Sequence, residues 1–133
     1  MRYIQNFLTT SNDVETLVNT MWSLVYITHG GESEIDEVLQ MDIVEDILKC
    51  LKVDSRQLKN ATLKTIGNII SESDTQMQFL MNRGLVELVY PLLSDSHKLV
   101  RKQAAFVYCN LLAGTADQVK EVIEWGNGQV VKT

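Results

Sequence analysis

Three pairs of aromatic, amide or basic residues recur along the sequence at an interval of 42 residues, each pair four positions apart. The pairs are Trp22 and Tyr26, Lys64 and Asn68, and Phe106 and Asn110. An amide can donate to and accept from the backbone of an extended peptide, and an aromatic face attracts a cation. If the pairs line up, their two columns suit an extended segment that bears lysine or arginine. The spacing leaves open a second interpretation, in which the aromatics are partly buried packing residues and the amides only cover helix surface.

Positions four residues apart are neighbours on one face of an α-helix, so each pair needs a helix to present it. The interval of 42 residues also aligns apolar and turn-forming positions between the pairs, without a gap. Helical repeats of about 40–47 residues are typical of armadillo and HEAT solenoids. We therefore expect an all-α protein, an armadillo-repeat right-handed α-solenoid of about three repeats of 42 residues.

The repeat interval also predicts how the chain is divided. We expect a single domain over residues 1–133, with a partial repeat at 1–30, complete repeats at 31–72 and 73–114, and a partial repeat at 115–133. Each repeat buries its apolar face against its neighbours, and neither end of this chain carries a polar capping repeat. Hydrophobic surface is therefore expected at both ends of the stack.

Each repeat is predicted to contain a short first helix, a second helix and a longer third helix that carries the paired residues. The first helices are predicted at 33–41, 74–83 and 116–125, the second at 43–51 and 85–93, and the third at 13–29, 55–71 and 96–113. Gly84 and Gly126 are expected to close first helices with left-handed backbone, and Asp42 to adopt that conformation at some cost. Pro91 should kink or end its helix.

A stripe of mostly apolar residues at spacings of three and four should turn one face of each third helix toward the core. The stripe residues are Met21, Leu24 and Thr28, then Leu63, Ile66 and Ile70, then Ala105, Tyr108 and Leu112. The paired residues lie on a different face of the same helices. Core packing and the candidate binding columns are thus predicted to use separate faces.

Charge is distributed unevenly along the chain. The net charge is −5, and it divides into −7 over residues 1–55 and +2 over residues 56–133. An acidic chain repels phosphate, so we expect no nucleic-acid partner and favour a basic one, unless the acids serve only solubility. No apolar run approaches the roughly 18 residues of a membrane span, so no membrane partner is expected.

Few residues in the sequence point to catalysis, a metal or a cofactor. Cys50 and Cys109 lie in apolar helical segments, which predicts two reduced core thiols. His29 and His97 have no second ligand at metal spacing, so neither a metal nor a cofactor is expected. No nucleophile–histidine set or glycine-rich phosphate loop is present, which makes an enzyme the least favoured class.

The third-helix segments resemble a known family. They read TLVNTMWSLVYITHG at 16–30, TLKTIGNIISESDTQ at 62–76 and AAFVYCNLLAGTADQVKEVI at 104–123. In order, they resemble the third helices of the fifth, sixth and seventh repeats of importin alpha (karyopherin alpha). That family of armadillo adaptors binds nuclear localisation signals in its inner groove.

The resemblance implies a nuclear-import receptor for basic Lys/Arg-rich cargo segments, found in cytoplasm and nucleus. The peptide-binding residues that it implies are Trp22, Tyr26, Lys64, Asn68, Ile70, Ser71, Gln103, Phe106 and Asn110. Phe106 stands where the family has a groove tryptophan, and it offers a weaker cation–π face. Gln103 stands where the family usually has glutamate, which removes a charge partner for a ligand lysine.

A second function from a different class remains open. The expected hydrophobic ends could pair with another armadillo chain by end-to-end stacking, or with a second copy of this chain. The chain would then be a truncated armadillo scaffold that acts in protein assembly without autonomous import activity.

Overall fold

The computed structural model describes residues 2–11 and 13–132, with side chains described for 4–11 and 13–126. The described residues form helices joined by short turns, and none of them lies in a strand, which confirms the all-α class. The helices are α1 (Arg2–Thr10), α2 (Val14–Thr28), α3 (Glu32–Gln40), α4 (Val44–Lys49), α5 (Arg56–Glu72), α6 (Asp74–Met81), α7 (Leu85–Val89), α8 (Lys98–Leu111) and α9 (Ala116–Lys132). Two 3₁₀ turns, Cys50–Lys52 and Tyr90–Ser94, follow α4 and α7.

The three long helices that carry the paired residues form one layer. Helix α5 packs between α2 and α8, and the other described helices lie behind this layer. Leu58, Ile66 and Ile69 of α5 are almost completely buried because α5 has a long helix on each side. The interval of 42 residues is therefore the step from one long helix to the next.

Glutamine side chains link successive repeats on the outer layer. Gln76 Nε2 donates to Asp36 Oδ1 at 2.9 Å, and Gln118 Nε2 donates to Gln78 Oε1 at 3.1 Å. Both donors and both acceptors are 42 residues apart, so the same cross-repeat contact occurs twice. Because each glutamine must lie beside its acceptor, these bonds fix the position of the first helix of one repeat relative to the first helix of the next.

The predicted turns are confirmed at two of three positions. Gly84 has φ of 92°, and Asp42 has φ of 57°, the left-handed backbone that glycine adopts at little cost. Helix α7 ends at Val89, and Pro91 lies in the 3₁₀ turn that follows, as its missing N–H requires.

The expectation for Gly126 is wrong. Helix α9 continues through Gly126 to Lys132, so residues 127–132 extend this helix and do not begin a second one. Glycine permits left-handed backbone but does not impose it. The Trp125 ring packs edge-on against Tyr90, with ring centroids 5.0 Å apart, which anchors α9 along this part of its length.

The predicted core-facing stripe is also wrong in α8, the last of the three long helices. In α8 the buried residues are Val100, Ala104, Val107 and Leu111, whereas Leu112 is 41% exposed. Ala105 is exposed and Tyr108 is half-buried. The stripe of α5 is buried because α2 and α8 pack on either side of it, whereas among the described residues only α5 of these three helices packs against α8.

Candidate functional site

Two depressions on the exposed face of the three long helices are lined by candidate residues that the structure describes. The α2/α5 depression has a volume of about 710 Å³ and is lined by Val14, Glu15, Val18, Asn19, Trp22, Gln57 and Asn60. The α5/α8 depression has a volume of about 650 Å³ and is lined by Val25, His29, Leu63, Lys64, Gly67, Asn68, Ser71, Lys102, Gln103, Ala105, Phe106, Cys109 and Asn110. The two differ in the charge of their lining.

The α2/α5 depression combines three groups that attract a cation. Trp22 is half-buried and packs against the core, and its ring centroid lies 6.4 Å from that of Tyr26. The carboxylate of Glu15 is exposed in the first turn of α2. Asn60 Oδ1 is buried and accepts no hydrogen bond from the described residues. A carboxylate, an amide oxygen and an indole face are all suited to an ammonium or guanidinium group.

The α5/α8 depression has the opposite electrostatic character. Lys64 and Lys102 contribute two ammonium groups, and no described residue in its lining carries a carboxylate. Phe106 is 62% exposed, so most of its ring faces solvent. The lining otherwise consists of the His29 imidazole, the Cys109 thiol, amides, small side chains and apolar atoms. This depression is therefore a basic cleft with an apolar aromatic side.

Asn68 reaches back from α5 to α2. Its Nδ2 donates to the carbonyl oxygen of Val25 and to Oγ1 of Thr28, each at 3.1 Å. The Thr28 hydroxyl itself donates to the Leu24 carbonyl at 2.7 Å, so it accepts from Asn68. Both hydrogens of the amide are thus committed to α2. Only Oδ1 of Asn68 can form a hydrogen bond to a ligand, and only as an acceptor.

Asn110 occupies the same position of the next repeat but lacks this contact. Its Nδ2 is buried and donates to none of the described residues. The residue that corresponds to Thr28 is Ile70, 42 positions later, and isoleucine has no hydroxyl to accept a hydrogen bond. One amide is therefore a link between repeats, and the other keeps an unpartnered donor in the lining of the α5/α8 depression.

The structure brings together six of the nine residues that the resemblance implies. Lys64, Asn68, Ser71, Gln103, Phe106 and Asn110 line the α5/α8 depression. Trp22 lies in the α2/α5 depression, and Tyr26, which is 75% exposed, lines neither. Ile70 is 5% exposed, and with Ser71 and Asn110 it borders a smaller depression of about 300 Å³.

Sequence reasoning missed Glu15, Asn60 and Lys102. A signal for two of them was present, because Val18, Asn60 and Lys102 form a further column at the interval of 42 residues. This column lies four residues before the one that contains Trp22, so it continues the same helix face. The position of Glu15 gave no comparable signal.

The two cysteines differ, which corrects one expectation. Cys50 is buried, and burial together with the nearby Asp46 carboxylate raises the pKa of its thiol to about 11. Cys109 is exposed in the α5/α8 depression and is not a core residue. Among the described residues, no group of three His, Cys, Asp or Glu could hold a metal ion, and no helix is long and apolar enough to cross a membrane.

The architecture matches known structures closely. A designed armadillo repeat protein in complex with the peptide (KR)4 superposes with a TM-score of 0.87 and 26% identity, over 93% of this chain and 52% of that one. A second designed armadillo repeat protein matches with the same TM-score and coverage. The chain is an armadillo-repeat protein. The fold class predicted from the 42-residue interval is confirmed.

Sequence comparison relates this armadillo-repeat chain to importin alpha. It is 29% identical to rice importin subunit alpha-1a over 117 residues, which is 87% of this chain and 22% of the relative. It is 30% identical to Arabidopsis importin subunit alpha-4 over 116 residues, which is 86% of this chain and 22% of the relative. The chain thus spans about a fifth of the length of these relatives. No family model matches it.

Proposed function

We propose that this armadillo-repeat chain binds an extended peptide that bears lysine or arginine, along the face of α2, α5 and α8. The observation that carries the proposal is the α2/α5 depression, where Glu15, Asn60 and Trp22 line one cleft. The sequence similarity to importin alpha and the architecture shared with a designed protein that holds (KR)4 support it.

The chemistry of the cleft accounts for a preference for cations. An ammonium group carries three donors, which the Glu15 carboxylate and Asn60 Oδ1 can accept, while the aliphatic stem lies against Trp22. A buried acceptor without a partner costs about 1–3 kcal/mol, so a ligand that donates to Asn60 Oδ1 recovers part of that free energy. The excess of acids over residues 1–55 adds attraction at longer range.

The cellular role that we propose is nuclear protein import, with basic nuclear-localisation-type segments of cargo proteins as ligands and with the chain in cytoplasm and nucleus. This part of the proposal rests on the relation to importin alpha, of which the chain spans about a fifth. Peptide capture requires only the groove on the described helices, so it can be tested on the chain as it is.

The test is fluorescence anisotropy with a labelled (KR)4 peptide at about 50 mM and about 300 mM salt, where screening differs strongly. We expect saturable binding that weakens with salt. Glu15→Gln should weaken it about two- to five-fold at low salt, since an exposed ion pair is worth up to about 1 kcal/mol. Glu37→Gln, which removes the same charge from an exposed position on α3, is the matched control and should change little.

Two results would count against peptide binding. One is no binding at high micromolar protein in low salt, with circular dichroism showing that the chain is folded. The other is an equal loss of affinity in Glu15→Gln and Glu37→Gln, which would indicate attraction by net charge only. If the chain instead forms dimers or larger species in sedimentation and binds no peptide, the assembly alternative replaces this proposal.

A further inference from the structure

The α5/α8 depression contains two ammonium groups without a counter-charge. The ion pairs among the described residues involve other side chains, and Lys64 and Lys102 take part in none of them. The lining of the depression includes no carboxylate among the described residues. A third cation brought into this cleft would be repelled, so the cleft does not suit a ligand lysine.

A second, independent feature of the same cleft also calls for an acceptor. Asn110 Nδ2 is a buried donor without a partner among the described residues. Buried polar groups in folded proteins nearly always have a partner, whether protein, water or ligand. An oxygen-bearing ligand group would provide one for Asn110 while it pairs with the lysines.

We propose that the α5/α8 depression binds an anionic oxygen group, a carboxylate or a phosphate, on the same peptide whose basic residue occupies the α2/α5 depression. The inference rests on the proposed function. Lys64 and Lys102 supply the charge, and Asn110 Nδ2 donates to the anion. Phe106, which is largely exposed, flanks the stem that carries the anion. The ligand is thus a peptide with both signs of charge, in contrast to the purely basic segment that the resemblance implies.

The position of the anion along the peptide follows from the helices. The clefts are one helix spacing of about 10 Å apart across the layer. On α5 their lining residues are centred about eight positions apart, which is about 12 Å along the helix axis. Their separation is therefore about 15 Å, which an extended chain covers in four to five residues. The acidic or phosphorylated residue should stand four or five positions from the lysine.

The net charge of the chain is distributed in the same direction as the charges of the two clefts. Residues 1–55, which include α2, carry a net charge of −7, and residues 56–133, which include α5 and α8, carry +2. A peptide with its cation at α2 and its anion toward α8 is complementary to this gradient. The gradient thereby selects one of the two directions in which the peptide can lie.

The test uses a peptide series with a constant lysine cluster. One residue, four or five positions to either side of the cluster, is alanine, glutamate, phosphoserine or lysine, and anisotropy measures each affinity at low salt. On the favoured side we expect glutamate to bind about three- to five-fold tighter than alanine, phosphoserine at least as tightly as glutamate, and lysine more weakly than alanine. The series thereby compares the affinity for a carboxylate with the affinity for a phosphate.

Two substitutions in α8 test whether the glutamate preference arises in the α5/α8 depression. Lys102→Gln should reduce the glutamate preference to less than two-fold, whereas Lys98→Gln should retain it. Lys98 is exposed on the same helix and does not line the cleft, so it controls for the loss of one charge. Equal loss in both variants would overturn the assignment to this depression.

A spectroscopic readout in the cleft is also available. Cys109 is exposed in the lining and Cys50 is buried, so a trifluoromethyl thiol reagent labels Cys109 selectively. The glutamate peptide should shift the fluorine resonance more than the alanine peptide does. A glutamate preference without that difference would place the anion elsewhere and overturn the inference.

The failures of the two proposals can be told apart. If no peptide of the series binds, the proposed function fails and this inference fails with it. If the alanine and glutamate peptides bind equally, or if the lysine peptide binds most tightly, peptide binding stands and only the anion site is wrong.

Discussion

Replacing Asn68 by alanine tests whether this amide holds two repeats together. The variant loses two hydrogen bonds of 3.1 Å, to the Val25 carbonyl and to Thr28 Oγ1. A typical hydrogen bond contributes about 0.5–1.5 kcal/mol net, which sets a range of about 1–3 kcal/mol for the pair. Neither group is left without a hydrogen bond, because the His29 amide still donates to the Val25 carbonyl and the Thr28 hydroxyl still donates to the Leu24 carbonyl. We therefore expect the lower part of the range, about 1–2 kcal/mol.

The chain offers its own matched control for this substitution. Asn110→Ala makes the same change at the equivalent position of the next repeat, where Nδ2 has no hydrogen bond to lose. It should change the free energy of unfolding by less than about 0.5 kcal/mol or stabilise slightly, since it removes a buried unpartnered donor. Urea unfolding followed by circular dichroism measures both variants.

A double-mutant cycle isolates the hydroxyl part of the Asn68 contact. Thr28→Val removes that acceptor, and its coupling with Asn68→Ala should be about 0.5–1 kcal/mol. Equal destabilisation in the Asn68 and Asn110 variants, or a coupling near zero, would refute the assignment of Asn68 as an inter-repeat link.

Two further predictions concern acid and backbone strain. Hydrogen bonds from Lys59 Nζ and from the His97 backbone lower the pKa of Asp95 from 3.8 to about 2, so its stabilisation is present above pH 3.8 and is lost as pH falls through about 2. Asp95→Asn should destabilise by on the order of 1–2 kcal/mol at pH 7, and urea titrations should show that difference shrinking toward pH 2; a pH-independent difference would contradict this. Asp42→Gly should raise the free energy of unfolding by about 0.5–1 kcal/mol because Asp42 has φ of 57°, and thermal unfolding that moved the other way would contradict it.

The sequence by itself determined the repeating part of the protein. The 42-residue interval depends only on residue types, and it placed the three long helices, the turns at Asp42 and Gly84, and the end of α7 near Pro91. These features are set by local chemistry, because helix periodicity, left-handed backbone and a missing N–H act within a few residues.

Tertiary structure alone decided which chemistry each copy of the repeat presents. Asn68 and Asn110 are the same residue at the same repeat position, yet one is bonded and the other is not, since the partner depends on Thr28 or Ile70 of the neighbouring helix. The charge of each cleft also depends on the tertiary structure, because its lining comes from two or three helices. Contacts between elements distant in sequence decide both the hydrogen bonding of the asparagine and the charge of the cleft. The residues on a single helix face do not determine these contacts.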